Sequence, residues 1–271
     1  SIFNRYIKKI PFVFLQHGVI ALKRVDNFYG KGKKGGCDLF VVSTNKEKQT
    51  IVENFEYEPD EVINTGLPRW DVLKDKSQGK REILIMPTWR NWLDSVPDKD
   101  FEESDYFRHY MGLLNSERLN QILEKYDLEV NFYLHAKFQE YADTFKSISK
   151  RIHLISFGEV AVNEMLMRCR MLITDYSSVC WDILYQDKPS LFYQFDIEKY
   201  NEAHGSYIDM ETELFGDRAA TQEQLLDYLE ETVQNDFRLK PEYEKMRGEY
   251  LQFKDHEHSR HICEEIKKRF H

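Results

Sequence analysis

Four short stretches of the chain combine residues suited to proton transfer or anion binding with turn-forming neighbours. The first, Gln16-His17-Gly18, directly follows an apolar run. A histidine with an ordinary pKa of about 6.5 can accept a proton near neutral pH, and general-base catalysis typically contributes roughly 10²–10⁴-fold. Gly18 lets the backbone turn sharply and a substrate come close. In the second stretch, Met86-Pro87-Thr88-Trp89-Arg90, Pro87 should stop a strand, so that Thr88 and Arg90 project from the loop. The arginine fork is suited to phosphate there. The third, Tyr133-Leu134-His135-Ala136-Lys137, again places a histidine after an apolar run. The fourth runs from Met171-Leu172-Ile173-Thr174 through Asp175-Tyr176-Ser177-Ser178 to Asp182. It reads as a strand, a turn and a helix starting near Ser178, whose free N–H groups, dipole and two hydroxyls would suit a diphosphate. Asp182, one helical turn beyond Ser178, is placed to accept hydrogen bonds from a ribose. The same residues also admit structural readings: a satisfied histidine, a surface arginine in a turn, and helix capping by Ser177 or Ser178.

The elements that would position these groups follow from hydrophobic periodicity. Short β-branched runs at residues 12–15, 39–42, 62–64, 83–86, 130–134, 153–155, 171–174 and 190–193 read as strands. Helical patterns at 46–54, 105–124, 160–167 and 179–185 alternate with them, and 222–231 and 243–269 form a helix-rich end. This alternation predicts an α/β protein with parallel sheets, in which ligands bind beyond the carboxyl ends of the strands. The polar stretch 74–81 marks a boundary, giving an expected N-terminal domain at 1–77 and a C-terminal domain at 78–271. About 77 residues is thin for an independent α/β layer. The chain also opens within a pattern and without Met, so the first domain is expected to be the last part of a larger one.

Composition bounds the function. With 271 residues, 41% of them hydrophobic and 14% aromatic, the chain is neither disordered nor collagen-like nor a disulfide scaffold. Cys37, Cys169, Cys180 and Cys263 are widely spaced, which suits reduced thiols and suggests no metal site. The uncharged stretch 10–22 is too short to span a bilayer, and a cytosolic location is expected. A net charge of −9 argues against nucleic acid as a partner, yet residues 1–34 carry +7 and the remainder −16. That basic segment reads either as a solvated loop or as a face for an anionic acceptor or lipid. His256, His258 and His261 read as a solvated helix face, and Gly30, Gly32, Gly35 and Gly36 as a flexible basic loop, since no nucleotide fingerprint is matched.

Taken in order, Gln16-His17-Gly18, Thr65-Gly66-Leu67-Pro68-Arg69-Trp70-Asp71, Pro87-Thr88-Trp89-Arg90, Leu134-His135 and Leu172-Ile173-Thr174-Asp175-Tyr176-Ser177-Ser178 with Asp182 resemble the CDP-glycerol glycerophosphotransferase family of teichoic-acid and capsule primases and polymerases. The resemblance implies a GT-B-like fold, two facing Rossmann-like domains with the N-terminal one truncated. It implies transfer of glycerol phosphate, or a related polyol phosphate, from a CDP-alcohol to a hydroxyl of a wall or capsule polymer or its lipid-linked primer, with release of CMP. On this resemblance His17 is the base, Arg90, His135, Ser177 and Ser178 hold the diphosphate, Thr88 and Asp182 contact the nucleotide, and Arg69 and Asp175 lie near the cleft. No cofactor is evident, and a divalent cation is left open. The expected location is cytoplasmic, or peripheral at the inner membrane face, with membrane contact through the start of the chain or residues outside it. The alternatives are a GT-B glycosyltransferase using a nucleotide sugar and a non-catalytic nucleotide-binding module.

Overall fold

The computed structural model describes residues 10–270, so Arg5, Lys8 and Lys9 of the basic segment lie outside the described residues. Two compact units emerge: Ser1–Leu73 with Asn201–Met210 and Lys245–His271, and Lys74–Tyr200 with Glu211–Glu244.

The first unit is built on three parallel strands, β1 (Val13–Phe14), β2 (Leu39–Val42) and β3 (Val62–Asn64), in the order β1-β2-β3. All four residues of β2 are buried, so both faces of this small sheet need a cover. On one face Phe40, Val42 and Val62 pack with Ile51 and Phe55 of the helix Asn45–Phe55 and with Tyr57. On the other, Leu39, Val41 and Ile63 pack with Ile262, Ile266 and Phe270 of the C-terminal helix His258–Phe270. The expected assignment of residues 78–271 to one domain is therefore corrected, because residues 201–210 and the chain from Lys245 onward group with the first unit, where the helix His258–Phe270 supplies the sheet's second cover.

The motif Thr65–Asp71 explains how that helix docks. Asp71 accepts from the backbone N–H groups of His258 (2.7 Å) and Ser259 (2.9 Å), the free donors at the helix start. His258 is fully buried, its Nδ1 lies 2.8 Å from the Thr65 carbonyl oxygen, and its ring meets Trp70 edge to face. Its expected place on a solvated face is thus overturned. Within the expected helix-rich end, the stretch 243–269 resolves into two helices, Pro241–Tyr250 and His258–Phe270.

The second unit holds six parallel strands: β4 (Glu82–Ile85), β5 (Glu129–Tyr133), β6 (Ile152–Ile155), β7 (Met171–Thr174), β8 (Ser190–Tyr193) and β9 (Arg218–Ala219), in the order β6-β5-β4-β7-β8-β9. The strand order reverses between β4 and β7. That is the doubly wound pattern, with its ligand crevice outside the carboxyl ends at the reversal. Ile83, Ile85, Val130, Phe132 and Ile173 pack beneath the helices Asp105–Leu114, Glu117–Lys125 and Gln222–Gln234. The expected single helix over 105–124 breaks at Asn115-Ser116, where Ser116 caps the second helix by accepting from Leu119 N–H (3.2 Å). Two-residue β9 carries too little periodicity to be legible in the sequence.

The docking of the C-terminal helix generates a paired prediction. Gly66 has φ +76°, and an added Cβ would lie 2.1 Å from His258 Nδ1, whereas Gly79, at φ +80°, has nothing within 4 Å of that position. Gly79→Ala should cost only backbone strain, about 1–2 kcal/mol. Gly66→Ala should cost roughly 3 kcal/mol or more, because the buried histidine must also move. Thermal unfolding followed by circular dichroism measures both, and equal losses would refute the packing argument.

Candidate active site

In the second unit, three candidate segments leave the carboxyl ends of neighbouring strands. The loop 86–90 follows β4, His135 follows β5, and the turn 175–179 follows β7, with β4 between the other two. At about 4.8 Å between strands, β5 and β7 end roughly 10 Å apart, so these segments form one rim at the switch point.

The rim is held by a buried ionic network. Arg90 is fully buried, and its Nε and Nη2 donate to the two carboxylate oxygens of Asp196 at 2.7 and 3.1 Å. Its Nη1 reaches Asp175 Oδ2 at 2.9 Å and also donates to the Thr88 carbonyl and hydroxyl oxygens at 3.0 and 2.9 Å. Burial works against the arginine's charge, but the two carboxylates outweigh it and push the guanidinium pKa well up. Asp175, also fully buried, accepts at Oδ1 from Thr88 N–H (2.9 Å), Thr88 Oγ1 (2.6 Å) and Tyr176 N–H (2.6 Å), and at Oδ2 from the Tyr110 hydroxyl (3.2 Å). Tyr176 donates to Asp196 Oδ1 at 3.0 Å. Burial, reinforced by these carboxylates, pushes both phenols up, so each remains a donor.

This geometry corrects two expectations and qualifies a third. Arg90 does not project from its loop to meet a phosphate; it ties the loop after β4 to the turn after β7. Asp175 is the other end of that tie and lines no open surface. Thr88 is half-buried, with its hydroxyl donating to Asp175. Asp182 is buried in the first turn of the helix Cys180–Tyr185. The half-buried Ser177 and Ser178 stay on the rim. The helix begins at Cys180 rather than near Ser178, and its N-cap is Val179, with no side-chain capping bond, so neither serine serves as that helix's cap. The carbonyls of Ser177 and Ser178 instead accept from Cys180 and Trp181 N–H, both at 3.2 Å. His135 starts the helical turn Ala136–Thr144, its Nδ1 accepting from Lys137 N–H at 3.2 Å.

In the first unit, the exposed His17 follows Gln16, which adopts a left-handed φ of 61°. The His17 ring lies against Phe14 and Tyr29, with centroids 6.2 and 6.0 Å apart. Arg69 Nη1 donates to the His17 carbonyl oxygen at 2.6 Å, so the structure brings these two candidates together.

Glu47 lies beneath this loop; nothing in the sequence marks it as more than a helix-capping acid, since Thr44-Asn45-Lys46-Glu47 has the form of a capping box. Only half of that box forms. Thr44 Oγ1 accepts from Glu47 N–H (2.9 Å), but the carboxylate turns inward to Ile20, Ser43 and Gln16. Burial pushes its carboxyl up, opposed by these donors. Among the described residues, Asp255, Glu257 and His261 bring ligand atoms within 4.8 Å of one another, but Asp255 faces His261 and Glu257 pairs with Arg260.

The network generates a stability prediction. Arg90→Ala leaves the buried Asp175 and the partly buried Asp196 without their cation and should cost about 3–5 kcal/mol. At roughly 2–4 °C per kcal/mol for a chain of this size, the unfolding midpoint should fall by about 10 °C. Arg90→Lys should recover less than half of this, since an ammonium cannot grip Asp196 bidentately. A midpoint unchanged by Arg90→Ala would show that the network is dispensable.

Comparison with known proteins places this geometry. The family described as CDP-Glycerol:Poly(glycerophosphate) glycerophosphotransferase matches residues 4–268. The minor teichoic acid biosynthesis protein GgaB of Bacillus subtilis (strain 168) is 30% identical over 271 residues, covering 94% of this chain and 29% of GgaB. The teichoic acid glycerol-phosphate transferase of Staphylococcus aureus (strain NCTC 8325 / PS 47) is 26% identical, covering 84% of this chain and 60% of that protein. The chain thus spans less than two thirds of either relative. Among solved structures, the wall teichoic acid polymerase TagF soaked with CDPG aligns with a TM-score of 0.68 at 18% identity, over 94% of this chain and 68% of that one. The S. aureus MnaA-UDP structure aligns at 0.58 and 14% identity, over 99% and 70%. Such likenesses establish the α/β, GT-B-like fold with parallel sheets. Since the family match extends over nearly the whole chain, from residue 4 to residue 268, the protein belongs to the CDP-glycerol glycerophosphotransferase family.

Proposed function

We propose that the chain transfers glycerol phosphate, or a closely related polyol phosphate, from a CDP-alcohol to a hydroxyl of an anionic wall or capsule polymer or its lipid-linked primer. The observation that carries this reading is the switch-point rim, where His135 beyond β5 and Ser177 and Ser178 beyond β7 flank the end of β4, over a buried ionic base. The reading assigns donor binding to the second unit and proton transfer to His17 in the first. His17 takes the proton of the acceptor hydroxyl. The resulting oxygen nucleophile attacks the donor's β-phosphorus, a new P–O bond forms, and the bond to the α-phosphate oxygen breaks with CMP leaving as an anion. The serine hydroxyls and the half-buried His135 hold the diphosphate and receive the charge that develops on its oxygens. A ribose contact by Asp182 requires the buried carboxylate to be uncovered on binding. A divalent cation would travel with the diphosphate, because Asp175 and Asp196 are already engaged by Arg90, which offsets one of their two charges.

The basic segment supports an anionic acceptor. Among its described residues, Lys31 is engaged by Glu61 and Arg24 by Asp26, while Lys33 and Lys34 are exposed. The reading includes peripheral attachment at the cytoplasmic membrane face through this segment. Among the described residues, no helix is long and apolar enough to cross a membrane.

Thermal shift with CDP-glycerol, CDP-ribitol, CDP and nucleotide sugars tests the donor class. CDP-alcohols should stabilise the protein, and stabilisation by nucleotide sugars alone would turn the reading to glycosyl transfer. His17→Ala in the full-length protein should reduce CMP release roughly 10²–10⁴-fold with little change in donor binding. Ser177→Ala with Ser178→Ala should instead weaken donor binding. Undiminished turnover by His17→Ala would remove the base assignment.

A further inference from the structure

The loop that carries His17 is fastened from beneath by one carboxylate. Glu47 is 3% exposed, in the first turn of the helix Asn45–Phe55. Its Oε1 accepts from the Gln16 side-chain amide at 3.1 Å and from the Ile20 backbone N–H at 2.6 Å. Its Oε2 accepts from the N–H and the hydroxyl of Ser43, both at 2.7 Å. A single oxygen thus grips the two residues that bracket His17, Gly18 and Val19, while the other oxygen is anchored to the end of β2. The Gln16 amide is oriented unambiguously, because its nitrogen also donates to the Val41 carbonyl at 2.7 Å and both neighbours are acceptors. Four donors converging on an acceptor-only group match an ionised carboxylate. The helix N-terminus beside it favours the same state.

We propose that Glu47 is a positioning residue for transfer, acting through the backbone and amide of the Gln16–Ile20 loop to hold His17 where it can receive the acceptor's proton. This inference rests on the reading of His17 as the base. Gln16 sits at a left-handed φ of 61°, a conformation unfavourable for a residue with a side chain, so its loop needs an external hold. Glutamine at position 47 would keep the volume but present an NH2 donor to groups that are themselves donors. The grip on residue 16, residue 20 or Ser43 would be lost without removing any apolar packing. Catalysis is sensitive to such displacement, because a shift of about 1 Å in a catalytic group can cost on the order of 10²-fold.

A double-mutant cycle in the full-length protein tests the proposal, using CMP release from the CDP-alcohol and acceptor pair that the parent turns over. E47Q should lower kcat at least tenfold, with the donor KM within threefold of the parent. E47Q in an H17A background should lower turnover no further, since residues acting as one unit are not additive. Amide hydrogen exchange should quicken across residues 16–20, with the thermal midpoint within a few degrees of the parent's. Turnover by E47Q within threefold of the parent, or an equal further loss in the H17A background, would overturn the positioning role while leaving His17 as the base. Parent-like turnover by H17A alone would instead overturn the base reading, and this proposal with it. Should H17A leave no measurable turnover, exchange at 16–20 decides, and unchanged rates refute the proposal. Should E47Q not fold, Ser43→Ala, which removes one anchor of the same carboxylate, carries the test through a smaller, threefold to tenfold, loss of kcat with unchanged KM.

Discussion

The buried contact of Arg90 with Asp175 and Asp196 holds together the loops at the switch point of the second unit. A doubly wound sheet brings the ends of β4 and β7 side by side, but it does not by itself dictate how the loops beyond them run. Here a guanidinium with no exposed surface joins the two loops, and Tyr110 and Tyr176 donate to the carboxylates that hold it. Desolvating an arginine and two aspartates is expensive, and such clusters are retained where geometry matters more than net stability. The Ser177-Ser178 turn follows directly from Asp175, so its position inherits the rigidity of that cluster.

The first unit uses the same physical device on a smaller scale. Glu47, buried and met by donors, gathers Gln16, Ile20 and Ser43 around one carboxylate. Asp71 does the equivalent work at the start of the C-terminal helix, and that helix in turn closes the exposed face of a three-stranded sheet. Arg69, two residues from Asp71, reaches the carbonyl of His17. The segment that covers the sheet and the segment that carries the histidine are thus connected through one short motif.

Much of this was legible from the amino-acid order. Strands β2, β3, β7 and β8 stand where the apolar runs placed them, because a strand buried on both faces leaves an unbroken hydrophobic signal. The motifs at strand ends were legible for a related reason: glycine, proline and serine after an apolar run mark where chain direction changes. Where partners are distant in sequence, the reading failed. Arg90 and Asp175 look like surface groups in turns, and nothing near either residue reveals a counter-ion 85 or more positions away. His258 looks solvated among charged neighbours, although Thr65 and Trp70 enclose it. Glu47 looks like an ordinary helix-capping acid.

Residue order alone accounts for the α/β class, the alternation of elements, the family motifs and the strand ends at which His17, His135, Ser177 and Ser178 stand. These depend on local periodicity and turn chemistry, which act over a few residues. Which charged candidates face solvent, which are consumed in holding the fold, and that the last helix belongs with the first strands emerge from three-dimensional packing. Burial and ion pairing arise from groups that meet only after the chain has folded, so the same residue type can be a ligand-facing group or a buried tie with no difference in its neighbours along the chain.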